Sequence, residues 1–263
     1  MKVIKGFIIN LQFFTALPIH MEIPMDREHL RNAAGTFPVL GLLLGGFYAV
    51  LLYALVEWTP LSPLAVAFFL WLAMIAATGG LHLDGWMDAS DAFFSYRDHE
   101  RRLEIMSDSR TGAFGVLSVI VLLSARFLFI YEVVLMLNPV AYILVIWIPF
   151  LSRCVMGAAL FTIRAAKQSG LAVLFREAGG VRSLWLYPVY FAVLAAICFM
   201  AEPASLWPVL ILAGAAALSY VFIRRGAVAW FGGITGDVLG ASVEGTEVVL
   251  WMTLWLLHYS AML

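Results

Sequence analysis

The chain is predicted to be an all-α, polytopic integral membrane helical bundle of about seven transmembrane helices plus an N-terminal interfacial helix. Three observations carry that prediction. Of its 263 residues, 63% are hydrophobic and 13% charged, and the mean hydropathy is +0.94. A soluble domain carries about 25% charged residues, so this chain lacks the polar groups to cover a water-facing surface. Its apolar residues gather in runs near 36–57, 61–81, 113–137, 139–160, 184–200, 205–223 and 248–263. Most of these approach the ~20 residues that cross a bilayer core. The third observation is one-sided charge. Of sixteen Lys and Arg, only Arg126 and Arg153 lie inside the runs. The others fall in the N-terminal segment or in the connections after the second, fourth and sixth runs, while the connections near 58–60, 138 and 201–204 hold none. Positive charge stays on the cytoplasmic side, so a multi-pass protein of the cell (cytoplasmic) membrane is expected, with its N-terminus and three long loops cytoplasmic.

Taken in order, residues 3–19, with Lys2 and Lys5 at their start, are mostly apolar and are stopped by Pro18. They read as a helix along the membrane surface, because a small-x-small cleavage pattern of a signal peptide is missing. The runs that follow are the spans. Cys154 and Cys198 fall at different depths of neighbouring spans, and no disulfide is expected between them. No internal repeat appears, so residues 1–263 form one membrane-embedded domain. A formal charge of -1 removes the electrostatic basis for binding nucleic acid. Membrane lipid is the surrounding partner, and the sequence leaves room for a homo-oligomer.

Chemistry concentrates in the segment Leu81–Gly115, LHLDGWMDASDAFFSYRDHERRLEIMSDSRTGAFG. Asp84, Asp88 and Asp91 are spaced four and three apart, which puts three carboxylates on one helical face. Stacked like charges repel unless a cation joins them, and an all-oxygen set selects a hard ion such as Mg²⁺. Glu104 and Asp108 form a second pair at i, i+4, leading into Ser109 and Arg110, whose guanidinium suits phosphate oxygens. A third cluster, WFGGITGDVLGASVEGTE, holds Asp237 and Glu244 seven residues apart, with Thr235 or Gly236 to cap the helix between them. Carboxylates on a helix entering a membrane are costly unless used, and so are Arg126 and Arg153 within spans. His82, just before the acidic face, is a candidate general base or ligand. The set implies a cytoplasmic site for an anionic, phosphorylated substrate. A GxxxxGK[ST] loop and a GxSxG elbow are both missing, which removes P-loop nucleotide hydrolysis and serine-hydrolase chemistry.

The segments HLDGWMDASDAF, RRLEIMSDSRTGAFG and GGITGDVLGASVEGTEV, with LQFFTALPI and RAAKQSGLAVLF, resemble the signature segments of the cobalamin synthase (adenosylcobinamide-GDP ribazoletransferase) family from about residue 7 to 250. The resemblance implies a Mg²⁺-dependent transferase of cobalamin biosynthesis. It would join adenosylcobinamide-GDP to α-ribazole, or its 5′-phosphate, and release GMP. Read with that reaction, the spacing makes Asp84, Asp88 and Asp91 the expected metal ligands, with Glu104, Asp108, Asp237 or Glu244 completing the shell. Arg110 and Arg153, with Ser109 and Thr235, would bind substrate, and His82 or a carboxylate would take the hydroxyl proton. Asp84-Gly85-x-x-Asp88-x-x-Asp91 also resembles part of the CDP-alcohol phosphotransferase signature, although Asp88-Ala89 stands where that family has Ala-Arg. A CDP-alcohol phosphotransferase and a secondary transporter are therefore the alternatives.

Overall fold

The computed structural model describes residues 2–108 and 110–260, which is almost entirely helix. The elements are α1 (Lys2–Phe14), α2 (Arg27–Gly35), α3 (Phe37–Trp58), α4 (Pro63–Thr78), α5 (Leu81–Phe94), α6 (His99–Ile105), α7 (Ala113–Leu135), α8 (Pro139–Thr162), α9 (Leu171–Ala178), α10 (Leu186–Ala201), α11 (Leu206–Phe231) and α12 (Gly236–Tyr259).

Five segments are long and apolar enough to cross a membrane: Phe37–Trp58, Ala113–Leu135, Pro139–Thr162, Val181–Ala201 and Pro203–Phe231, among the described residues. Counting the bent pair α4 and α5 as one span gives up to six by length and composition, against about seven expected, and two features account for the difference. The second expected span, 61–81, ends early. Gly79 and Gly80 both take left-handed backbone, at φ 63° and 78°, a conformation glycine adopts without penalty. The chain turns by 86° there, and α5 leaves the line of α4. The seventh expected span, 248–263, is the second half of a longer helix. α12 begins at Gly236, and its first turns carry Asp237, Glu244 and Glu247, which dilute its hydropathy.

α8 and α12 form the centre. α8 is buried along most of its length, and α12 packs against α5, α7, α8 and α11. Small residues set the closest crossings. A side chain at Gly41 or Gly45 of α3 would drive into the backbone of α8 at Pro149–Phe150 and at Ile146. This small-xxx-small spacing lets two backbones approach, which drives helix association where lipid removes any hydrophobic gain. Leu43, Phe47, Val50, Leu117, Ile120, Val121, Val193 and Ile197 point outward, an apolar rind suited to lipid. α1 is helical as expected, but it is tied into the bundle rather than lying alone. Gly6 fits against Asn32 and Ala33 of α2, and Asn10 Nδ2 donates to Ala33 O at 2.8 Å and Thr36 Oγ1 at 3.0 Å. Cys154 and Cys198 are free thiols.

The segments 95–108, 163–170 and 232–235 meet at one end of the bundle. Ile234 N donates to Arg164 O, Ala166 N donates to Ile234 O, and Arg102 donates to Trp230 O. These are the same connections that carry the basic residues.

Candidate active site

α5 brings Asp84, Asp88 and Asp91 to that end of the bundle, and the three face different surroundings. The crossing of α5 over α12 is made by glycines. A Cβ on Gly85 would lie 2.7 Å from Asp237 O, and one on Gly240 3.2 Å from His82 O. The backbones therefore touch, and Asp88 comes within electrostatic reach of Asp237. Thr235 caps α12, its Oγ1 accepting from Val238 N at 3.1 Å, and fixes where Asp237 starts the helix.

Asp88 is half-buried. Loss of hydration, then Asp84, Asp237 and Asp91, pushes its carboxyl up to about 6, and the ammonium of Lys167 opposes that push. Asp91 is engaged differently: its two oxygens accept from Gly112 N and Gly115 N, each at 2.7 Å, and so hold the N-terminus of α7. A side chain at either glycine would strike that carboxylate. Asp84 is exposed in the first turn of α5.

A cavity of about 410 Å³ opens beside this face, lined by Asp88, Asp91, Phe94 and Ser95 of α5 and, across from them, by residues of the turn that include Asp108, Arg110 and Phe114. At its rim Asp108 and Arg110 form an exposed pair at 2.6 Å, and Arg110 holds the Asp108 carboxyl down at about 2. Ser109, between them, lies outside the described residues. Glu104 does not line this cavity; it pairs with Arg101 on the exposed side of α6.

Two expected ligands are corrected by their partners. Glu244 is buried and paired with Arg126, and Arg153 is buried and paired with Glu247. Ser152 Oγ donates to Glu247 Oε1 at 3.2 Å and accepts from Arg153 at 2.8 Å. Two positive and two negative groups thus neutralise one another between α7, α8 and α12. Inside a membrane bundle each would otherwise stand uncompensated, so neither Glu244 nor Arg153 is free for metal or pyrophosphate. Sequence reasoning left Glu247 unassigned. Its signal was present: two arginines within spans call for two acids, and Glu244 and Glu247 are i, i+3 on one helix. His82 is buried too. Its ring stacks on Phe14 at 5.8 Å between centroids, and neither ring nitrogen has a hydrogen-bond partner among the described residues.

Among the described residues no three His, Cys, Asp or Glu groups converge as a ready-made metal cage. The donor chemistry nonetheless fits Mg²⁺, which keeps several waters and takes one or two carboxylates, the rest of its shell coming from phosphate. Asp84, Asp88 and Asp237 offer oxygen ligands of that kind.

Residues 6–255 match the family model described as cobalamin-5-phosphate synthase. A protein of Geobacillus thermodenitrificans (strain NG80-2), named adenosylcobinamide-GDP ribazoletransferase, is 44% identical over 98% of this chain and 98% of its own length. One of Geobacillus sp. (strain WCH70) with the same name is 42% identical over 97% of this chain and 96% of its own. Another, from Clostridium botulinum (strain Okra / Type B1), is 31% identical over 96% and 98%. No solved structure matches. The match runs through the acidic helix, the cavity turn and the capped start of α12, and this multi-helix membrane chain belongs to the cobalamin-5-phosphate synthase family.

Proposed function

We propose that this chain is an adenosylcobinamide-GDP ribazoletransferase, joining adenosylcobinamide-GDP to α-ribazole or its 5′-phosphate with release of GMP. Near-full-length identity to relatives so named supports the reaction. The observation that carries the site is the glycine crossing of α5 and α12, which sets Asp88 against Asp237 beside an open cavity.

The ribose hydroxyl of α-ribazole attacks the phosphorus nearer the cobinamide, and the bond to the GMP oxygen breaks. Asp84, Asp88 and Asp237 are the residues that would hold Mg²⁺, which when bound neutralises charge on the phosphate oxygens. Arg110 at the rim offers a forked donor to the pyrophosphate in exchange for Asp108. The hydroxyl proton goes to a cavity carboxylate rather than to the buried His82. The one-sided distribution of basic residues supports a site facing the cytoplasm in the cell membrane.

The test is GMP release by detergent-purified protein from adenosylcobinamide-GDP. Release that requires both α-ribazole and Mg²⁺, with a cobalamin product, is expected. Lipid-reconstituted protein that releases none, but turns over a CDP-alcohol, would remove the corrinoid assignment.

A further inference from the structure

Lys167 lies on the connection between α8 and α9, and that connection is pinned to the segment feeding α12. Ile234 N donates to Arg164 O at 2.8 Å, Ala166 N donates to Ile234 O at 3.0 Å, and Arg164 Nε donates to Gly232 O at 2.6 Å. Gly233, at φ 156°, permits this: a side chain there would run into the carbonyl of Arg164. The pinning delivers Lys167 Nζ to 3.8 Å from Asp237 Oδ2 and 2.9 Å from Ser107 Oγ, at the base of the cavity turn. From there it also opposes the acids crowding Asp88. Its side chain stays 31% exposed, so the ammonium sits between the carboxylates and open solvent.

A structural clip would use this group fully. Here the carboxylate contact is long and the other partner is a neutral hydroxyl, so the ammonium keeps bonding capacity to spare. Lysine carries three rotatable donors on a flexible stem, and can turn from one anion to another without moving its backbone.

We propose that Lys167 binds the pyrophosphate of the nucleotide-bearing substrate, and that in the metal-free site it is the counter-ion a divalent cation displaces from Asp237. The inference rests on the transferase reading given above. It supplies a second cation, beside Asp237 and Ser107, so the pyrophosphate is held by Lys167 and Arg110 while the acceptor alcohol contacts neither.

The test uses full-length detergent-purified protein and the variants Lys167→Met and Lys167→Arg. The first readout is Mn²⁺ binding alone, followed by electron paramagnetic resonance. Loss of the competing ammonium should tighten Mn²⁺ binding several-fold in Lys167→Met. The second is steady-state kinetics: KM for adenosylcobinamide-GDP should rise tenfold or more in Lys167→Met, KM for α-ribazole should change less than twofold, and Lys167→Arg should recover most of the loss. Unchanged or weaker Mn²⁺ binding, or equal shifts in the two KM values, would overturn the proposal. Wild-type protein that binds no Mn²⁺ and needs no divalent ion defeats the metal reading instead, and the KM comparison then decides Lys167 by itself.

Discussion

Asp84, Asp88 and Asp91 stand on successive turns of one helix and meet three different environments. Asp91 spends both oxygens on the start of α7, Asp84 faces solvent, and Asp88 carries the cost of the arrangement. Burial and three acidic neighbours raise its folded pKa to about 6 from the ordinary aspartate value of 3.8, so its charged form is disfavoured in the fold. The stability lost to that charge sets in as pH rises from about 3.8 and is complete above about 6. Asp88→Asn should therefore raise the melting temperature at pH 7, with little effect at pH 3.5, while removing GMP release; melting scans at both pH values check the sign. Protons also compete with metal for this carboxylate, so turnover should fall as pH drops below about 6. The shared face of the three acids was legible from their spacing. Their division of labour was not, because Gly112 and Gly115 lie 21 and 24 residues from Asp91.

Between elements, glycine fixes the geometry. A methyl on Gly85 would meet backbone of α12 at 2.7 Å, where nothing can rotate away, whereas one on Gly240 would meet His82 at 3.2 Å. Gly85→Ala should cost about 1–3 kcal/mol and separate Asp88 from Asp237, with loss of turnover. Gly240→Ala should be milder on both counts, and thermal unfolding with GMP release ranks the two. Gly85 is visible in the sequence beside Asp84, but its partner is not, since α5 and α12 are far apart along the chain. The break after Thr78 was missed for a related reason. Hydropathy averages over a window and runs through Gly79-Gly80, where the cause of the turn is a pair of positive φ angles.

At the scale of the molecule, the bundle is all-α and membrane-spanning as composition dictates, and its interior is organised by the paired charges of α7, α8 and α12. Arg126→Met leaves Glu244 buried without its partner and should cost about 3–5 kcal/mol; Arg126→Met combined with Glu244→Met should recover most of that. Unfolding of the single and double variants in detergent measures the coupling. The arginines were conspicuous in the sequence because they interrupt apolar runs, yet their pairing depends on which helix faces which, and periodicity does not carry that. The pairing also has a consequence in time. Arg153 precedes Glu247 by 94 residues, and at 5–20 residues per second the ribosome needs roughly 5–20 s to cover them. Throughout that interval α7 and α8 must wait in or near the translocon with uncompensated guanidinium groups. The arrival of α12 is then the event that closes the bundle, and a nascent chain stalled before residue 244 is left with two arginines that neither Glu244 nor Glu247 offsets.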